Sequence, residues 1–159
     1  MSDNADIAAL DTFSGEHANG RPIRVLSAED HEVDRLVLQT LLRQAGVDLT
    51  LVSNGVEALA AWHAGDWDVI LMDVQMPVLD GISATRAIRA EEAETGRART
   101  PIIALTANAM SHQVEQYITA GMDGHVAKPI QAAELFEALT RAAVPPQAKP
   151  GGGSQQEVA

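Results

Sequence analysis

Cysteine is absent from the 159 residues, which excludes disulfides and thiolate metal sites. Aromatic residues make up only 3%. A core must then come from Ala, Leu, Ile and Val, the residues that pack helices onto a parallel sheet. Positive charge is also scarce: 11 Lys and Arg stand against 22 Asp and Glu, a formal net charge of −11. No Lys/Arg cluster exists to displace counterions, so no nucleic-acid footprint is expected. The surface suits a basic partner or a bound cation. Every apolar run is too short to span a bilayer, and Met1-Ser-Asp-Asn lacks the basic start of a signal peptide, so no membrane association is expected. These absences leave a cytoplasmic, single-domain protein, with 46% hydrophobic residues to fill its core.

What is present is an alternation of short apolar runs with amphipathic segments. Strands are expected at 23–26, 48–52, 69–72, 101–106 and 124–127. Helices are expected from about Asp30 to Ala45, then at 56–64, 81–94, 111–120 and 131–143. On the first helix Val33, Leu36, Val37, Thr40 and Leu41 share one face, and Gly46 ends it. On the last, Leu135, Phe136 and Leu139 turn inward. Five strand–helix units define an α/β fold with a parallel sheet. Right-handed crossovers favour a doubly wound (βα)5 arrangement, for which 2-1-3-4-5 is a common strand order. The domain is expected at 22–143. Flexible segments are expected at 1–21, which is small and polar, and at 144–159, which has Pro/Gly/Ser linker composition.

Asp73 closes the third apolar run, in Val69-Ile-Leu-Met-Asp73-Val-Gln-Met-Pro77. It therefore stands at the carboxyl edge of a central strand, where open α/β sheets place their chemistry. Glu29 and Asp30 follow the first strand, Thr106 ends the fourth, and Lys128-Pro129 follows the fifth. Three carboxylates brought together repel, so the site needs counter-charge from Lys128 and from a hard divalent cation. Ligands that are all oxygen point to Mg²⁺. Flanked by Mg²⁺ and Lys128, Asp73 is expected to stay ionised at neutral pH and to act as a nucleophile toward phosphorus. Thr106 would donate its hydroxyl to a phosphoryl oxygen. Lys128, extended because proline follows it, would aim back at the site, and the Lys128–Pro129 bond is a candidate for the cis isomer.

Glu29-Asp30, Met72-Asp73-Val-Gln-Met-Pro77-Val-Leu-Asp80-Gly81, Pro101-Ile-Ile-Ala-Leu-Thr106-Ala107 and Lys128-Pro129 resemble the receiver domain of two-component response regulators. The resemblance spans residues 22 to 143 and is nearest in wording to receivers of hybrid histidine kinases and their stand-alone relatives. It implies a flavodoxin-like fold and phosphorylation of Asp73 by a phosphohistidine on a histidine kinase or histidine phosphotransferase. Mg²⁺ would be held by Glu29, Asp30, Asp73 and the backbone carbonyl of Gln75. The surface of strand four, helix four and strand five would then be read by a downstream protein. Gln75 and Asn108 border the path of the hydrolytic water in such domains. Neither is an acid or base, so self-dephosphorylation is expected to be modest. The family often places an aromatic switch residue three positions before the lysine; here that position is His125. Tyr117 is a candidate partner contact or a half-buried packing residue, and His31 a helix-start residue.

No output domain follows residue 143, so a single-domain regulator is expected, with an excised hybrid-kinase receiver or a phosphorylation-independent binding module as alternatives. A haloacid-dehalogenase-type phosphatase needs a second Asp where Gln75 stands. A flavin- or dinucleotide-binding domain needs a phosphate cradle where Ser27-Ala-Glu-Asp-His31 places carboxylates.

Overall fold

The computed structural model describes residues 14–17 and 20–143. Its strands are β1 (Arg24–Ala28), β2 (Asp48–Val52), β3 (Val69–Asp73), β4 (Ile102–Thr106) and β5 (Gly124–Ala127). Between and after them run α1 (Glu32–Gln44), α2 (Gly55–Ala64), α3 (Gly81–Thr95), α4 (Ser111–Ala120) and α5 (Ala132–Ala143). All strand pairs are parallel, in the order β2-β1-β3-β4-β5. This is the flavodoxin-like order expected from the alternation.

Successive residues of a strand point to opposite faces, so each strand feeds two cores. Val25, Val69, Leu71, Ile103 and Leu105 pack against α1 and α5 through Leu38, Leu42, Leu135, Phe136 and Leu139. Leu26, Ile70, Met72, Ile102 and Ala104 pack against α2, α3 and α4 through Trp62, Ala84, Ile88 and Tyr117. Both central strands, β3 and β4, are buried along their whole length, as continuous apolar runs require.

Two expectations shift. β1 runs on to Ala28 because its ladder with β2 and β3 continues there, burying the polar Ser27 that reads as a strand end. On α1 the inward residues are Leu38 and Leu42, whereas Val33 is 72% and Leu36 63% exposed. That helix is apolar on more than one side, so spacing alone does not choose the buried face. Residues at the end of the lead-in are also held in place. Gly15 N donates to Ala45 O at 2.9 Å, Ile23 N to Gly15 O at 2.7 Å, and His17 lies 3.0 Å from Asp68. Residues 1–13 and 144–159 lie outside the described residues.

At the amino edge of the sheet, buried charge is paired. Glu92 accepts from Arg89 Nη1 and from Thr100 N, both at 2.8 Å. Arg89 also reaches Gly121 O and Asp123, each at 2.9 Å. Trp62 Nε1 donates to Thr100 Oγ1 at 3.2 Å, with the Arg97 guanidinium 3.9 Å over its ring. Replacing Glu92 with Ala removes one of the two carboxylates that pair with the half-buried Arg89 and strands the buried Thr100 N–H. The expected loss is about 2–4 kcal/mol in urea denaturation, with ligand binding at the opposite edge unchanged.

Candidate functional site

The carboxyl ends of β1, β3, β4 and β5 converge on one cleft of about 340 Å³, lined by His31, Asp34, Asp73, Gln75, Thr106, Asn108, Tyr117 and Lys128 among others. Glu29 is fully buried, and Asp73 and Thr106 are each 3% exposed. Glu29 is fixed from both sides: its N–H donates to Val52 O at 3.0 Å, and its carbonyl accepts from Arg35 at 2.7 Å. Asp73 is braced by Gln75 N–H, which donates to Oδ1 at 3.1 Å. Behind it, Gly81 presses so closely on the Asp73 carbonyl that any Cβ there would collide with the oxygen. The intervening turn leaves Val78 at φ 71°, a costly angle for a β-branched residue. Lys128 N donates to Thr106 O at 2.8 Å, and the cis Lys128–Pro129 peptide follows.

Charge in the cleft is unbalanced. Lys128 Nζ lies 3.0 Å from Glu29, 3.3 Å from Asp34 and 3.3 Å from Asp73. His31 Nδ1 lies 3.1 Å from Glu29, 3.3 Å from Asp30 and 3.9 Å from Asp73. One ammonium thus serves three carboxylates. Glu29 Oε1, Asp30 Oδ1 and Asp73 Oδ2 are buried with no aligned hydrogen bond, although Lys128 lies in ionic contact with the first and third and His31 with the second. Donor atoms of Glu29, Asp30, His31 and Asp73 all fall within 4.8 Å of one another. Carboxylate oxygens at that spacing, without an aligned hydrogen bond, fit a hard divalent cation such as Mg²⁺.

Burial, then the Glu29 carboxylate, push Asp73 up to about 7 against the opposing pull of Lys128. The expected ionised state is that of Asp73 flanked by Mg²⁺ as well as Lys128, since a cation beside the carboxylate favours its charged form. Burial also pulls the Lys128 ammonium down, but its hydrogen bond to Glu29, with Asp73 and Asp34, outweighs that and leaves it above its ordinary value. His31 is raised as well, by its hydrogen bond to Glu29 and then by Asp30.

Glu29, Asp30, Asp73 and Lys128 are therefore brought together as expected, with Thr106 in the same cleft. His125 is not: it sits on β5 with its side chain exposed. Three participants escaped the sequence. Asp34 stands one turn after Asp30, and that i,i+4 spacing was the available signal. His31 occupies the position before α1, as expected, but its ring turns into the acidic cluster. Tyr117, expected as a contact or a half-buried packing residue, is 2% exposed and bonded to Thr106 at 2.8 Å.

A doubly wound α/β domain with a buried aspartate, an acidic pair and a lysine at its carboxyl edge is the class that fold and site define. Residues 25–140 match the model of the response regulator receiver domain, and the chain belongs to that family, the receivers of two-component phosphorelay signalling. It is 39% identical over 127 residues to the sensor protein GacS of Pseudomonas syringae pv. syringae, covering 80% of this chain. It is 42% identical over 123 residues to the hybrid signal transduction histidine kinase I of Dictyostelium discoideum, covering 74% of this chain. The match spans only 14% and 7% of those two proteins. Among solved structures it resembles the receiver domain of sensor histidine kinase PA1611 from Pseudomonas aeruginosa PAO1, crystallised with magnesium in the active site cleft. That likeness has a TM-score of 0.68 and 45% identity, covering 76% of this chain and 97% of that one. It also resembles a chain in the co-crystal of the Saccharomyces cerevisiae phosphotransfer protein Ypd1 with the receiver domain of Ssk1. There the TM-score is 0.73 and the identity 31%, covering 76% of this chain and 88% of that one.

The Asp73 carboxyl at about 7 lies above its unfolded value of 3.8, so the fold disfavours its charged form. That penalty is absent below the unfolded value, grows between the two, and is complete above 7. In EDTA at pH 8, Asp73→Asn is expected to raise stability by about 1–3 kcal/mol, discounted for solvent screening. The gain should fade toward pH 4. Thermal denaturation across that range checks it.

Proposed function

We propose that Asp73 is the phosphoacceptor of a phosphorelay receiver, taking its phosphoryl group from a phosphohistidine on a histidine kinase or histidine phosphotransferase. The observation that carries this reading is the buried Asp73 carboxylate, lodged between a paired lysine and carboxylate oxygens that have no aligned hydrogen bond. Glu29, Asp30 and Asp73, with the backbone carbonyl of Gln75, would hold Mg²⁺. When bound, that ion would neutralise the surplus charge and help shield the incoming phosphoryl oxygens.

In the transfer, an Asp73 oxygen forms a bond to phosphorus while the donor's N–P bond breaks, and the imidazole leaves with the bonding electron pair. Lys128, 3.3 Å from Asp73, offsets charge on the phosphoryl oxygens. Gln75 N–H holds the other carboxylate oxygen in place. Thr106 donates its hydroxyl to a phosphoryl oxygen once one is present, and the face formed by β4, α4 and β5 carries the change to a downstream protein. Magnesium in the PA1611 neighbour and the phosphotransfer complex of the Ssk1 receiver support the cation and the donor class.

The donor also needs a surface. Val33 and Leu36 on α1 are exposed, and Leu36 lines a shallow groove with Ile130, just past Lys128-Pro129. Exposed apolar side chains beside the reacting group suit a helical phosphotransfer partner.

With acetyl phosphate and Mg²⁺, the protein is expected to gain the mass of one phosphoryl group, a gain lost in Asp73→Asn or in EDTA. Absence of that gain, and of any beryllofluoride response, would leave a phosphorylation-independent binding module instead. Leu36→Arg is expected to slow transfer from a phosphorylated histidine phosphotransfer protein about tenfold or more, one hot-spot contact's worth. Labelling by acetyl phosphate should be unaffected, which separates docking from chemistry.

A further inference from the structure

Tyr117 is the single tyrosine of the chain. Its ring packs in the core between the sheet and α4, and its hydroxyl reaches the cleft. The Tyr117 oxygen lies 2.8 Å from Thr106 Oγ1 and 2.8 Å from Asn108 O. Thr106 Oγ1 lies 2.9 Å from that same carbonyl and accepts Asn108 N–H at 2.9 Å. The two hydroxyls carry one proton each, for three short contacts. Tyr117 donates to Thr106 and Thr106 to Asn108 O, or Thr106 donates to Tyr117 and Tyr117 to Asn108 O, or both hydroxyls donate to Asn108 O. In every arrangement the Thr106 proton is engaged and its oxygen accepts Asn108 N–H. It must leave this ring of bonds to serve a group on Asp73.

The consequences for the two residues differ. When Thr106 leaves, Tyr117 still has Asn108 O as an acceptor, so no buried phenol is orphaned. The switch then breaks the bonds of Thr106 itself, including the one it accepts from Asn108 N–H, but desolvates no phenol. His125, at the strand position where an aromatic switch was expected, is exposed on β5 and outside this cleft. The hydroxyl that touches Thr106 comes from α4 instead, and the next residue on that helix, Ile118, is 59% exposed.

We propose that Tyr117 is the positioning residue of Thr106: its phenol holds the Thr106 hydroxyl in the resting arrangement, and its release couples the cleft to the outer face of α4. This rests on Asp73 being the phosphoacceptor.

The test uses the full chain, with Mg²⁺ and beryllofluoride as the phosphoryl mimic. Tyr117→Phe keeps the ring and removes only the hydroxyl, and is expected to tighten beryllofluoride binding about three- to tenfold, the worth of one neutral hydrogen bond. In a Thr106→Val background the same change should have no effect, because the partner is gone. In the wild type, the lone tyrosine's resonance Raman doublet should change on saturation with beryllofluoride, as its hydroxyl loses one partner and keeps the other. Equal binding by wild type and Tyr117→Phe, a gain that persists with Thr106→Val, or an unchanged Raman doublet would each overturn the assignment. A wild type that binds no beryllofluoride would instead overturn the Asp73 reading, and this inference with it.

Discussion

The structure turns on an excess of buried negative charge facing one ammonium. Lys128 lies within 3.3 Å of Glu29, Asp34 and Asp73, and Asp30 adds a fourth carboxylate through His31. In a low-dielectric cleft such a group is stable only if something else carries positive charge. Burial first, and the Glu29 carboxylate second, push Asp73 to about 7 in spite of Lys128. The site is therefore incomplete by construction, and its incompleteness gives it affinity for a divalent ion and then for an anion that the ion can share.

The rest of the fold makes the imbalance tolerable. The two ends of the sheet are built on opposite principles. At the amino edge Glu92, Arg89, Asp123 and Arg99 satisfy one another and close the gaps between α3, α4 and β4. At the carboxyl edge strand ends are left with carboxylates and few donors. Two fully buried central strands between these edges fix Asp73 against the ends of β1, β4 and β5. Gly81 lets α3 begin directly against the Asp73 carbonyl. Rigidity beneath the cleft keeps the carboxylates from relaxing apart.

Much of this was legible because it lies in short-range pattern. Five apolar runs, each ending in a polar or ionisable residue, place Glu29, Asp73, Thr106 and Lys128 at one edge before any coordinate is known. What stayed hidden depended on direction rather than spacing. Val33 and Leu36 share a helical face with Val37 and Leu41, yet the sheet takes Leu38 and Leu42, because several apolar stripes cross α1 and only packing against β2 and α5 selects one. His31 reads as a helix-start residue and is one; nothing in its neighbours says that its ring turns toward Glu29. Tyr117 is eleven residues from Thr106, and only the angle of α4 against the sheet makes their hydroxyls meet. His125 is exposed on β5, and the inward turn that its position implies belongs to the state in which Thr106 has moved toward a phosphoryl group.

The scale of the Thr106 arrangement bears on what kind of switch this is. A neutral hydrogen bond is worth about 0.5–1.5 kcal/mol, and one to a charged group about 1.5–3 kcal/mol. Moving the Thr106 hydroxyl from Tyr117 to a phosphoryl oxygen thus gains about 1–2 kcal/mol, before the loop's own rearrangement and the fate of the Asn108 N–H bond to Thr106 are counted. That is a shift of roughly five- to thirtyfold, inside the common range of coupling between two sites. A lone buried phenol left without a partner would cost about as much as the exchange gains. Because Asn108 O lies 2.8 Å from Tyr117 and can accept its proton once Thr106 leaves, that cost does not arise. The carbonyl shared by the two hydroxyls is what lets so small a driving force move the loop.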